Sequence, residues 1–207
     1  MTPPALLRLL PVLSLALLLA GCGDQPPPAD PAIDADDAPA FEPEPLPPLP
    51  EDPNVLVELQ WDYLIPPGWR PDQLLDDYDV DAIDDDDPRA DELMQKLLAI
   101  WAEAPVVEVL DGRRVRLPGF VVPLELDATE IAEFLLVPYF GACIHVPPPP
   151  ANQTVLVRTV ADVPYRGGLF DVVWVEGRMR VESFANELGD AGYRIEEAAV
   201  SPYEEPL

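Results

Sequence analysis

"VVEVLDGRRVRLPGFVVPLEL", residues 106–126, is where the pattern of the chain changes. Val115 and Leu117 fall on one face of an extended backbone and Arg114 and Arg116 on the other, the period of two expected of a strand with one buried side. Asp111-Gly112 interrupts the run with the residues that a tight two-strand turn demands, so the segment reads as strand, turn, strand. Gly119 and Pro123 mark bends or bulges rather than mid-sheet positions. Short runs of the same kind follow at 133–137, 142–146, 154–159, 172–176 with 178–181, and 193–200, and a short helix is predicted over 183–189. Many short strands with glycine-marked bends favour a closed sheet, because closure removes exposed edges. The expected fold class is therefore mainly β with short helices, a small barrel of the oligonucleotide/oligosaccharide-binding (OB) type from about residue 105. A split β-sandwich is the alternative.

Toward the N-terminus the period becomes helical. Leu93, Met94, Leu97, Leu98 and Trp101 recur on one helix face, with Asp87 and Pro88 in the N-cap and first helical positions, which predicts a helix to Trp101 whose apolar stripe packs into the core. Before it lies an acidic run, 72–87. Asp77, Asp79 and Asp81 have the opening spacing of a calcium loop, but Ala82 stands where the turn glycine belongs and Pro88 where the bidentate glutamate belongs, so an EF-hand is excluded and a solvated acidic loop expected. Residues 22–54, with "DQPPPADPAIDADDAPAFEPEPLPPLPEDP", hold almost nothing to bury and read as a semi-extended tether. Residues 55–207 are enough for one globular domain.

Residues 1–21 read as a leader. "LLPVLSLALLLA", residues 9–20, is too short to span a bilayer and matches the apolar region of a secretory signal. Leu19, Ala20, Gly21 and Cys22 then resemble the bacterial lipobox, whose cysteine receives the acyl chains and becomes the mature N-terminus. Gly23, in place of a retention aspartate, favours the outer over the inner membrane, and the expected location is the periplasm, held to the membrane by that anchor.

With Cys22 acylated the mature chain keeps one thiol, Cys143, so no intramolecular disulfide forms. With Arg8 removed, 11 basic residues face 39 acidic ones, a formal charge of −28. That field repels phosphate backbones and disfavours nucleic acid as a partner; it favours cations and basic partners.

The candidate chemistry gathers in "FGACIHVPPP", residues 140–149, which holds Cys143 and the single histidine, His145. On an extended strand the two side chains share a face, with α-carbons about 6.6 Å apart, close enough to share a zinc or copper ion. Two donors make a poor site, and Glu125, Asp127, the side chains of Tyr139 or Asn152, or a partner would have to complete it. Two other readings stay open: a buried thiol beside a hydrogen-bonded histidine at a proline-braced corner, and a thiol activated by the imidazole. There is no nucleophile elbow, phosphate loop, HExxH or CxxC motif.

"LDGRRVRLPGFVVPLE" (110–125) and "FLLVPYFGACIHVPPPPANQ" (134–153) together resemble a bacterial family catalogued as domain of unknown function 3299, over about Trp61 to Tyr203. The resemblance implies an exported, frequently lipid-anchored protein with an OB-like barrel. Its members look like companions of ABC-type permeases and metal-handling periplasmic proteins, and the resemblance carries no catalytic residues. The expected function is a membrane-tethered, non-catalytic binding or accessory module, with Tyr139, Cys143, His145 and Asn152 as binding candidates; a metal- or thiol-dependent envelope enzyme using Cys143 and His145 is the alternative. Replacement of Cys22 by alanine is expected to leave an unprocessed precursor, because acylation site and cleavage signal are lost together. Metabolic labelling with palmitate checks this; label retained in Cys22→Ala would mean that the anchor lies elsewhere.

Overall fold

The computed structural model describes residues 43–70 and 87–204; the leader, most of the tether and the acidic run at 72–86 lie outside the described residues. In chain order the elements are β1 (Val57–Glu58), a 3-10 turn (Trp61–Leu64), helix α1 (Pro88–Ala102), a second 3-10 turn (Glu108–Leu110), β2 (Arg114–Pro123), β3 (Glu130–Ile131), β4 (Glu133–Val137), a third 3-10 turn (Ala151–Gln153), β5 (Val155–Thr159), β6 (Tyr165–Arg166), β7 (Val172–Phe184) and β8 (Ala191–Pro202).

The long strand β2 is paired on both edges. One edge meets β7 in antiparallel register from Arg114 opposite Arg178 to Phe120 opposite Val172. The other meets β1 in parallel at Val115 and Arg116, then β4 in antiparallel from Phe120 opposite Val137 to Pro123 opposite Phe134. β4 continues antiparallel to β5, β5 runs parallel to β8, and β8 returns antiparallel to β7. The five strands close in the order β2-β4-β5-β8-β7-β2. The first barrel strand pairs with the second and fourth while the third runs parallel to the fifth, which is the OB connectivity, and closure rules out the split sandwich.

The burial follows the sequence pattern. β2 alternates, with Val115, Leu117 and Val121 inside. β4 and β5 are continuous apolar runs because both of their faces are covered. Phe134, Leu136, Val155 and Val157 enter the barrel core, while Leu135, Val137 and Leu156 form a second cluster on the outer face. Gly119 sits in the middle of β2 rather than at a bend: a Cβ there would lie 2.8 Å from Leu136 Cγ and 2.9 Å from the Val137 carbonyl oxygen, so the glycine admits close approach of β4. Pro123 ends β2, opposite Phe134.

Three expectations are corrected. Residues 106–110 do not form a strand hairpinned to β2, since both edges of β2 are taken by β7 and β1; the chain makes a 3-10 turn that buries Leu110 completely in the core. Gly112, at φ +73°, then swings it into β2. Residues 183–189 are not a helix: β7 runs through to Phe184, paired with Ala191, because a helix this short gains less than a ladder already aligned by β8. Helix α1 starts as expected, with the Asp87 carboxylate accepting from the Arg89 amide at 2.9 Å. Its stripe, however, does not enter the barrel. Leu93 and Leu97 are buried outside the two apolar clusters, whose space is filled by strand residues and by Leu59, Leu64 and Leu110.

Packing also begins before residue 55. Leu46 and Leu49 lie against the core, the Pro50 carbonyl accepts from the Arg113 guanidinium, and the Pro53 carbonyl accepts from the Arg114 amide at 2.9 Å. The N-terminal segments are tied further by Tyr193, which is fully buried on β8. Its hydroxyl donates to the Leu64 carbonyl at 2.8 Å and accepts from the Val107 amide at 2.6 Å. Tyr193→Phe leaves the buried Leu64 carbonyl and the part-buried Val107 amide without that partner, and is expected to lower unfolding stability by about 2 kcal/mol. Urea denaturation checks this; an unchanged midpoint would show that the two bonds contribute nothing net.

Candidate functional site

The motif segment is a cover, not a strand. After β4 the chain turns so that the Gly141 carbonyl accepts the amides of Ile144, His145 and Val146 at 3.3, 2.9 and 3.3 Å. Gly141 at φ +87° and Cys143 at φ +67° both sit in the left-handed region, and only a single bridge, Ala142 to Val146, is strand-like. The expectation that 142–146 is extended, and with it the shared strand face of Cys143 and His145, is therefore overturned. The physical reason lies on either side of the turn. Pro147–Pro150 carry no amide hydrogens to continue a ladder, and the outer face of β4 and β5 needs covering. Ala142, Cys143 and Ile144 fold back onto Leu135, Val137 and Leu156 to supply that cover.

This placement decides which OB surface is available. The face of the second and third OB strands usually carries the ligand, and here those strands are β4 and β5. Part of their outer face is occupied by the chain's own motif turn, through Ala142, Cys143 and Ile144.

The predicted site residues separate. Cys143 is half-buried and lines a cleft with Trp101, Pro148 and Pro149; burial pushes its thiol up to about 11. His145 is exposed, does not line that cleft, and packs its ring on Phe170 with centroids 5.8 Å apart. Glu125 and Asp127 are exposed in the connection after β2, and neither lines the Cys143 cleft. Among the described residues no three His, Cys, Asp or Glu side chains converge to hold a metal ion. Among the described residues the Cys143 and His145 donors do not converge as a zinc or copper site would require. Asn152 is fully buried, its amide donating to the Pro105 carbonyl at 2.9 Å, and Gln153 beside it donates to the Trp61 carbonyl at 2.9 Å. These side chains clasp the proline segment to the residues preceding the barrel. Tyr139 is exposed, its hydroxyl pushed up by partial burial and then by nearby Cys143.

What the sequence reading missed is an aromatic surface. Phe140, 65% exposed, packs against Phe170 with ring centroids 4.6 Å apart and edge-on to Phe120 at 6.2 Å. Phe170 is itself held at φ +63°, its amide donating to the Val121 carbonyl at 2.7 Å. Next to it the Asp171 carboxylate accepts from the Tyr165 hydroxyl and the Gly168 amide, both at 2.8 Å. Phe120, Phe140 and Phe170 come from three separate segments, and no spacing in the sequence joins them.

The model of the family described as "Protein of unknown function (DUF3299)" matches residues 61–202, which include all five barrel strands. The chain belongs to the DUF3299 family. A crystal structure of a DUF3299 family protein from Pseudomonas aeruginosa PAO1 is similar to it with a TM-score of 0.55 and 42% identity, over 74% of this chain and 99% of that one. Comparison with curated proteins gives no match.

In this DUF3299 protein the Cys143 thiol holds its proton well above neutrality. Alkylation of the native chain is expected to be slow at pH 7 and to accelerate toward about 11, whereas the unfolded chain follows the ordinary thiol value of 9.0. The folded state binds this proton more tightly, so its contribution to stability is complete below pH 9.0 and is lost as the pH rises through about 11. Cys143→Ala should remove that part of the alkaline fall. A native alkylation midpoint at or below 9.0 would overturn the burial assignment.

Proposed function

We propose that this chain is a membrane-tethered binding module of the periplasm, anchored through Cys22 to the outer membrane, that docks on an envelope protein such as a permease and performs no chemistry of its own. The observation that carries this reading is the Phe140 surface: a large aromatic ring left 65% exposed on a turn whose backbone is fixed by three bonds to one carbonyl. Aromatic residues presented rigidly are what protein interfaces use as anchors, because little conformational entropy remains to be lost on binding. The lipobox resemblance supports the anchor, and among the described residues no helix is long and apolar enough to cross a membrane. The thiol- or metal-dependent enzyme has less support, since the thiol is protonated and the imidazole rests on Phe170 instead of meeting it.

A photo-crosslinking amino acid at position 140 tests this, with the exposed position 109 as comparison. The expected outcome is a crosslink from 140, and not from 109, to a single envelope protein identified by mass spectrometry. Phe140→Ala should abolish co-purification of that protein while changing unfolding stability by no more than about 0.5 kcal/mol, as for an exposed side chain. Equal crosslinking from both positions would sink the docking reading.

A further inference from the structure

On the other side of the motif turn from the aromatic surface, Trp101 at the end of α1, Cys143, Pro148, Pro149, Glu187 and Asp190 line a cleft of about 270 Å³. Apart from the neutral amide of Asn186, its walls are apolar or acidic. Two carboxylates face it, no lysine or arginine lines it, and neither Glu187 nor Asp190 is in an ion pair among the described residues. The contrast with the barrel wall is sharp. There Arg114 meets Glu176, Arg116 meets Glu58, Arg158 meets Glu133, and Arg180 meets Glu196. Helix α1 also ends at this cleft with no basic residue in its last turn, so the negative end of its dipole is uncompensated there. The potential inside is therefore negative, within a chain whose overall formal charge is already −27.

These features select a ligand class. An anion is repelled, and a metal ion finds no three converging donors among the described residues. The cleft lies just below the roughly 300–1,000 Å³ typical of small-molecule sites, which favours one inserted side chain over a free metabolite. An indole in the wall, carboxylates at the rim and the absence of competing cations suit a planar organic cation, and a guanidinium stacks on aromatic rings and sheds water more readily than an ammonium does. We infer that the docked partner inserts an arginine side chain into the cleft formed by α1, the motif turn and the β7–β8 connection, beside Trp101 and between Glu187 and Asp190. This rests on the docking reading above and specifies the partner's chemistry: a basic segment carrying an apolar side chain for Phe140 and an arginine for the cleft.

The test uses the chain without its leader, residues 22–207 with Cys22→Ser, labelled with nitrogen-15, and two capped tripeptides, Leu-Arg-Leu and its citrulline counterpart, which keeps the shape and removes the charge. Titration of the arginine peptide is expected to shift the Trp101 indole N–H signal, assigned with Trp101→Phe, and the amides of 186–190, saturably and less strongly as sodium chloride is added. The citrulline peptide should leave them unmoved. Glu187→Gln with Asp190→Asn should abolish the arginine response while the rest of the spectrum stays in place. If the double variant does not give a folded spectrum, Glu187→Gln alone, on an exposed side chain, should weaken the response. Equal shifts with citrulline, or no shift with either peptide, would overturn the arginine assignment. A crosslink from position 140 that persists in that case leaves docking standing, and its loss removes docking itself.

Discussion

Everything in this fold depends on β2 being hydrogen-bonded along both edges. Pairing with β7 over Arg114–Phe120 converts an open mixed sheet into a closed barrel, and the opposite edge is shared between β1 and β4. Such a strand tolerates no idle polar group, yet it contains a proline. Pro118 is accommodated because its N and its carbonyl point to the gap between β1 and β4, where the Trp61 indole donates to that carbonyl at 2.8 Å in place of a strand neighbour. Glycines then set how tightly the sheet curves. A Cβ on Gly177 would sit 2.6 Å from both the Glu196 carbonyl oxygen and Ile195 Cγ2, at the point where the β7–β8 register shifts.

What could be read in advance was whatever repeats with a local period. The alternation of Arg114 to Leu117, the strands expected at 133–137 and 154–159, and the Asp87-Pro88 cap each depend on neighbours within a few residues, and the structure has them at 114–117, Glu133–Val137, Val155–Thr159 and the start of α1. The failures share a different cause. Residues 106–110 carry a strand-like pattern, but the edges of β2 were already occupied. Residues 142–146 do too, but their apolar side chains are used to cover β4 and β5 from outside. The runs at 133–137 and 154–159 read as strands, and the burial of both their faces follows from the cover that the motif turn supplies. The candidate site was legible as a location and not as an arrangement. Cys143 and His145 are together in sequence and face different surroundings, and Phe140 finds Phe170 only through the closed barrel.

Charge is distributed by the same logic. The arginines of the strands are largely consumed in cross-strand and neighbouring pairs, such as Arg194 with Glu182 at 2.9 Å in the barrel and Arg166 with Glu130 at 2.7 Å in the small β3–β6 sheet. Such exposed pairs add little stability individually. Their consequence is that the surplus of acids is what the outside world meets, so the molecule's long-range field and its local apolar surface select partners by separate criteria.

The strap formed by residues 43–54 has a mechanical property. It is held along the barrel by a few bonds in series: the Glu44 amide to Asp62 at 3.2 Å, then the contacts of Leu46 and Leu49, then the carbonyls of Pro50 and Pro53. A pull transmitted from the N-terminal side loads these contacts one after another, as in peeling, rather than all together, as in shear. They would yield before the ladder between β2 and β7, which closes the barrel through seven residue pairs. Twelve released residues would pay out about 40 Å of slack, so displacement of the chain N-terminal to residue 43 would be absorbed in the strap while the barrel keeps its shape.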